Sequence, residues 1–320
     1  MEVATLRCHS LSESTQANYR SHLKTYLTFC QYYRLPPFPA TTTTICRYIA
    51  YLNRSRCYGT IQQYLSVLRL MHLNFGLKHP LTNNYPVTAL LQAVKRTKGN
   101  APNYKLTISI PQLREIRARL NTDVQEDAQL WAVITSRFFG LLRLGNVTVV
   151  KTSEWDENKI VRRCDVSFSS KGGTLAIRHS KTNQYSERIF SCVLPRLNSD
   201  SSLCPALALI NHLARSGTLP ASAPLFAIKA PNGPMTALTS SSARRRINKL
   251  FKDIGLNCAD YGSHSLRRSG ASHLFACGMS LQSIMILGDW KSDCVLKYIK
   301  PVPNDKLDLL SSVLNRPPTQ

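Results

Sequence analysis

An imidazole, a guanidinium, an indole and a phenol stand close together late in this sequence, in His264-Ser-Leu-Arg267, Leu287-Gly-Asp-Trp290 and Tyr298. These types suit one reaction, attack on a phosphodiester. Such a cleavage needs a nucleophile, cations for the charge on the nonbridging oxygens, and a proton for the leaving 5′ oxygen. Tyr298 is the candidate nucleophile. A phenol with an ordinary pKa near ~10 is inert unless cations at the phosphate stabilise its phenolate as it attacks. His264 and Arg267 lie three residues apart. A helix beginning near Ser265 therefore turns both to one side at its N-terminus, where free N–H groups favour an anion. Trp290 can donate its indole N–H to a phosphate oxygen.

Two further cations lie upstream. Arg143, in Phe138-Phe-Gly-Leu-Leu-Arg143-Leu-Gly-Asn-Val147, follows an apolar helix and falls near its C-terminal end or in the next turn. With Arg267 it makes a two-guanidinium clamp whose donor forks match the equatorial oxygens of a pentacoordinate phosphorane. Lys181, in Arg178-His-Ser-Lys181-Thr-Asn-Gln184, sits at the tip of a predicted hairpin, from which a lysine can reach a minor groove and protonate a leaving alkoxide. Taken singly, each has an ordinary reading: a carboxylate salt bridge for Arg143, a solvated turn for Lys181, a hydrogen-bonded buried ring for His264, packing for Trp290. A phosphotyrosine link keeps the energy of the broken bond, so resealing needs no ATP, in keeping with the lack of a GxxxxGK[ST] loop. No acidic cluster has metal-ligand spacing, which disfavours a two-metal nuclease. No cofactor is expected.

The elements that must position these groups are legible in the periodicity. Residues 12–33 read as a helix with Ser14 as N-cap and Tyr19, Leu23, Tyr26, Leu27 and Cys30 on one face, ended by Pro36 and Pro37. Shorter segments follow around Ile45, Tyr48 and Leu52, around Ile61, Leu65 and Leu68, and around Val87, Leu90 and Val94. This predicts a compact all-α unit over 1–98 whose tyrosines, at helical spacing, read as core. Lys95-Arg-Thr-Lys-Gly-Asn-Ala-Pro-Asn-Tyr104 loses the period and has a linker signature, so 99–107 is expected to be a basic linker.

Beyond it, 108–320 is expected to mix α and β. Helices are predicted over 111–120 and 126–142. Strands are predicted in 165–168, 174–178 and 188–193, as a three-stranded antiparallel sheet. Further helices are expected over 203–216, over 240–254 with Thr239 as N-cap and Gly255 as C-cap, and over 265–277. An amphipathic tail helix over 304–314 presents Leu307, Leu310, Val313 and Leu314. The fold class is mainly α with a small antiparallel β-sheet.

Of 320 residues, 41 are Lys or Arg and 18 Asp or Glu, a formal charge of +23 that calls for a polyanionic partner. The first 105 residues carry thirteen Lys/Arg against Glu2 and Glu13 alone. Double-stranded DNA is the expected partner, with Lys95, Arg96, Lys98, Arg244, Arg245 and Arg268 as candidate contacts. Ten cysteines without a CxxC pair suggest neither a zinc module nor a disulfide framework. No apolar run reaches the roughly 18 residues that span a bilayer, and no signal-peptide pattern is seen, so a cytosolic or nuclear site and no membrane partner are expected.

In this order, Arg143, Lys181, His264-x-x-Arg267, Trp290 and Tyr298 resemble the tyrosine recombinase (phage integrase) family over nearly the whole chain. Members carry an arginine in a Gly-Leu-Arg context, a hairpin lysine, an HxxR motif, a His or Trp about 23 residues beyond its arginine, and a tyrosine shortly after. The spacing from Arg267 to Trp290 is 23 residues. The resemblance implies a helical core-binding domain over 1–98 and a recombinase catalytic domain over 108–320. It implies that Arg143 and Arg267 bind the scissile phosphate, that Lys181 is the general acid and that His264 assists proton transfer. Trp290 would bond or pack at the phosphate, and Tyr298 would form the 3′-phosphotyrosine. It further implies a homotetramer on two sites, linked by exchange of the tail. Two departures stand out: Asn146 where many relatives have an acid, and eight residues rather than nine from Trp290 to Tyr298. Trp290, the eight-residue gap and the Ser180-Lys-Thr-Asn-Gln184 hairpin look like recombinases of eukaryotic mobile elements, DIRS-like or Crypton, for which a nuclear site is expected. A type IB topoisomerase shares the chemistry, and a domesticated DNA-binding relative without catalysis is a third reading.

Overall fold

The computed structural model describes residues 10–100, 105–152, 154–230, 232–299 and 311. The chain divides into two compact units, Met1–Asn103 and Tyr104–Gln320.

The first unit is helical: α1 (Glu13–Tyr32), α2 (Thr42–Asn53), α3 (Tyr58–Asn74) and α4 (Tyr85–Lys98). Ser12, not Ser14, caps α1. Ser12 keeps extended backbone while its hydroxyl accepts from the Thr15 N–H, and Ser14 already lies inside the helix. The apolar stripes meet in one core of Tyr26, Phe29, Ile45, Tyr48, Ile49, Leu52, Ile61, Leu65 and Leu68, each burial being worth ~1.5–3 kcal/mol. Tyr26 and Tyr48 are wholly buried and Tyr19 and Tyr64 pack against them, as the helical spacing suggests. Buried His72 joins α3 to the loop before α2: Nδ1 donates to the Leu68 carbonyl at 2.7 Å and Nε2 accepts from the Ala40 N–H at 3.0 Å. Lys95 to Lys98, which lack a clear period, form the last turn of α4.

The second unit is built on one buried helix. Its early elements are α5 (Ile110–Ala118), α6 (Gln125–Phe139) and the single turn α7 (Leu144–Val147). Strands β1 (Val166–Ser169), β2 (Gly172–Ile177) and β3 (Phe190–Pro195) follow, then α8 (Pro205–Arg215). The short β4 (Ala227–Lys229) and β5 (Met235–Ala237) precede α9 (Ser240–Asp253), α10 (Ser263–Ala276) and α11 (Leu281–Leu287). Residues 128–138 of α6 are buried all round, the mark of a core helix. Ala132 and Val133 face Leu175, Ile177, Cys192 and Leu194 of the sheet. Trp131, Ile134 and Phe138 meet Leu113 and Ile116 of α5, Leu250 and Phe251 of α9, and Leu266 of α10.

The three-stranded sheet is an antiparallel meander in the order β1-β2-β3, with Val166 opposite Leu175 and Thr174 opposite Val193. Alternate residues Gly173, Leu175 and Ile177 of β2 are buried, as a sheet with one face on the core requires. Sequence reading missed the β4–β5 hairpin, whose three-residue strands are too short to show a period, and α11. The predicted tail helix over 304–314 lies outside the described residues apart from Ser311. No helix among the described residues is long and apolar enough to cross a membrane.

Candidate active site

Helix α6 ends at Phe139, three residues before the predicted stop, and the difference shapes the site. Leu141 adopts a left-handed backbone (φ 51°), a conformation costly for a side chain with a Cβ. Its apolar side chain is fully buried, which anchors the turn. The turn presents the Leu141 carbonyl to Arg267, whose Nη1 donates to it. Two residues on, half-buried Arg143 precedes α7, and its N–H donates to Asn146 Oδ1 at 3.0 Å. Asn146, the departure from the acid of many relatives, thus fixes the Arg143 backbone with an amide oxygen.

Arg267 lies on α10, which starts at Ser263 rather than Ser265, so His264 is inside the first turn. At 2 % exposure Arg267 is held at both ends of its fork: Nη1 on Leu141 and Nη2 on the Gly288 carbonyl at 2.6 Å. Its guanidinium carbon sits 4.0 Å from the centre of the Trp290 ring, a stacked cation–π contact. Burial and neighbouring Arg143 push this guanidinium down to about 9, so it stays charged at neutral pH. Trp290, itself buried, fills the space beside Gly288. A Cβ on Gly288 would lie 1.8 Å from the indole, so glycine is required there.

Tyr298 follows a short 3₁₀ turn, Asp293–Lys297. Its ring lies 5.6 Å from that of Trp290, tilted by 58°, and its carbonyl accepts from Ser272 of α10 at 2.9 Å. It is near enough to Arg267 to act on that residue's charge. His264 is exposed at its edge. Even so, loss of surrounding water, then the charges of Arg137, Arg267, Arg143 and Arg244, hold its imidazole below the ordinary histidine value. The ring is therefore neutral, able to accept a proton.

Lys181 is exposed in the loop between β2 and β3, where Ser180 and Asn183 pair through their backbones. Buried Asn183 organises this loop: Nδ2 donates to the Arg178 and Arg188 carbonyls, both at 2.6 Å, and Oδ1 accepts from the Glu187 N–H at 3.1 Å. Asp289 accepts from the Thr182 hydroxyl at 3.0 Å and pairs with Arg188. The loop is thus joined to the turn that carries Trp290.

Sequence reading missed Arg137, in the last turn of α6. It is fully buried, donates through Nη2 to the Ser263 carbonyl, and leaves Nε and Nη1 without partners. Burial, then Arg267 and Arg244, push it down to about 9. An unpaired guanidinium in a dry core costs several kcal/mol by general estimate. The only hint in the sequence is an arginine inside an otherwise apolar helix.

Of the expected DNA contacts, Arg244 and Arg245 are exposed on α9, and Arg244 adds to the field at His264. Arg268 is buried at 8 % exposure, turned into the unit by the helix face it occupies, and so is not on the open surface. Lys95 and Arg96 are exposed on α4, with Lys95 over the Tyr58 ring. Lys98 is also exposed, but its Nζ donates to the Asn53 and Arg56 carbonyls, the latter at 3.0 Å, and braces the α2–α3 connection.

The transposon Tn1549 integrase, solved with transposon right end DNA, superposes with a TM-score of 0.63 and 14 % identity, covering 98 % of each chain. The fold is that of the tyrosine recombinases. A lambda integrase tetramer bound to a Holliday junction shares it, with a TM-score of 0.61 and 16 % identity over 93 % of this chain and 74 % of that one. In sequence the chain is similar at 22 % identity to two curated DNA recombinases. It is 22 % identical over 314 residues to the recombinase Cre of Escherichia phage P1, covering 92 % of this chain and 86 % of Cre. No protein-family model matches the chain. Within this tyrosine recombinase fold, Arg143, Arg267, Trp290 and Tyr298 come together around the α6–α7 turn and the start and end of α10, with neutral His264 beside them.

Proposed function

We propose that the chain is a site-specific DNA recombinase of a mobile element, cleaving and rejoining DNA through a covalent 3′-phosphotyrosine at Tyr298 without metal or ATP. In this reading Arg143 and Arg267 bind the nonbridging oxygens of the scissile phosphate, where charge grows most in the transition state. Neutral His264 takes the phenol proton, and Lys181 gives a proton to the leaving 5′ oxygen. Trp290 covers one face of Arg267 and keeps water from it. Arg267 carries the reading: a buried charged guanidinium fixed by two carbonyls and an indole, with Nε unpaired and a tyrosine alongside.

Double-stranded DNA is the proposed partner, and a homotetramer on two sites, joined through the tail over 304–314, the proposed working form. The eight-residue step from Trp290 to Tyr298 and the Ser180–Gln184 hairpin support a DIRS-like or Crypton-like lineage and a nuclear site.

The test is covalent trapping on a nicked suicide DNA substrate. The native protein is expected to yield an adduct mapping to Tyr298 and Tyr298→Phe none. An adduct on Tyr298→Phe would overturn the reading, and relaxation of any supercoiled plasmid by a monomer without site preference would favour a type IB topoisomerase.

A further inference from the structure

Asp289 joins two parts of the site that the chain leaves far apart. Its Oδ2 accepts from the Thr182 hydroxyl at 3.0 Å and its Oδ1 pairs with the Arg188 guanidinium. Thr182 follows Lys181, and Arg188 closes the same loop, whose neck Asn183 ties by accepting from and donating to its backbone. On the other side, Gly288 and Trp290 flank Asp289, and both hold Arg267. The carboxylate is only 9 % exposed and sits on a left-handed backbone (φ 54°), where glycine would be less strained. An aspartate or asparagine tolerates this backbone better than most side chains, so local conformation narrows the choice without requiring a charge. Its two hairpin partners account for the carboxylate.

Building on the phosphotyrosine reading, we propose that Asp289 is a positioning residue that latches the Lys181 hairpin to the Arg267-bearing turn, setting the Lys181 ammonium over the leaving oxygen. The ammonium is exposed on a loop with no other side-chain bond to this turn among the described residues, so the latch limits how far it wanders. Tyr298 Oη forms a bond to phosphorus while the bond from phosphorus to the 5′ oxygen breaks. The departing oxygen keeps that electron pair and takes one proton from Lys181 Nζ. Asp289 touches neither the phosphate nor the proton in this step; it fixes where the donor stands.

A bridging 5′-phosphorothiolate separates this role from a structural one. Sulfur leaves as a thiolate and needs no proton, so defects in proton donation vanish on it while defects in phosphate binding persist. Single-turnover cleavage would be followed on oxygen- and sulfur-bridged suicide substrates. Lys181→Ala is expected to lose about a hundredfold or more on oxygen, in line with the loss of a general acid, and to recover on sulfur. Asp289→Ala is expected to lose about tenfold to a hundredfold on oxygen and recover on sulfur. Asp289→Asn, which keeps an acceptor for Thr182 but loses the charge facing Arg188, should fall between. Lys181→Ala/Asp289→Ala should be no slower on oxygen than Lys181→Ala alone, while Arg267→Ala should stay slow on both. Thr182→Val breaks the latch from the hairpin side and should repeat the pattern if Asp289→Ala folds poorly. Equal losses for Asp289→Ala and Thr182→Val on the two substrates, with Lys181→Ala rescued, overturn the latch alone. Failure of sulfur to rescue Lys181→Ala overturns the acid role and the latch with it.

Discussion

Arg137 concentrates the residue-scale physics. A fully buried cation with Arg267 and Arg244 nearby, one carbonyl partner at Ser263 and two nitrogens unpartnered, weakens the fold. Arg137→Met is therefore expected to raise the unfolding free energy in urea by about 2 kcal/mol, as replacement of a poorly compensated buried charge does. After dehydration, the same charge does most to hold the His264 imidazole below its ordinary value. The acid limb of the cleavage rate against pH should thus lie below the ordinary histidine value of about 6.5, and Arg137→Met should move it up. A limb that stays put while cleavage falls would leave Arg137 a purely mechanical part. Arg143, Arg267, Trp290 and Tyr298 were legible because their types name a chemistry and their order can be matched. Arg137 and Asp289 were not, because an arginine in an apolar helix and an aspartate in a turn both read as ordinary until their partners are known.

At the scale of elements, α6 is the part on which the rest is laid, and α10 crosses it closely. A Cβ on Gly270 would fall 1.9 Å from the Phe138 carbonyl, an overlap that backbone cannot yield to cheaply. Gly270→Ala should cost about 3 kcal/mol, measured by thermal or urea unfolding, and should loosen Arg267 with it. Buried His212 of α8 gives the unit an acid-sensitive joint. Its Nε2 donates to the Leu225 carbonyl at 3.0 Å, and burial pushes its pKa down to about 4. Because the unfolded chain takes up this proton first, stability is complete above about pH 6.5 and falls as pH drops towards 4, by about 3 kcal/mol. His212→Gln should flatten that part of a melting-temperature profile. Sequence patterning found the large elements and the meander, since a period survives over ten residues. It misplaced the end of α6 and the start of α10 because Leu141 and Ser263 leave or join their helices for tertiary reasons that periodicity does not carry.

For the whole molecule, 41 basic against 18 acidic residues make DNA affinity a matter of counterion release. If the complex neutralises on the order of 6–10 phosphates, binding should weaken by roughly 10³–10⁵ between 50 and 200 mM salt, with a linear log–log slope in a fluorescence titration. Arg244→Ala should reduce that slope by about one unit, whereas Arg268, being buried, should change stability before it changes the slope.

The two carbonyls that hold Arg267 come from residues 126 positions before it and 21 after it. A full-length but locally unfolded chain therefore owns every reactive group and still cannot aim its central cation. Under the proposed phosphotyrosine chemistry, competence to cleave DNA then requires finished folding, which makes cleavage itself a report on the native state.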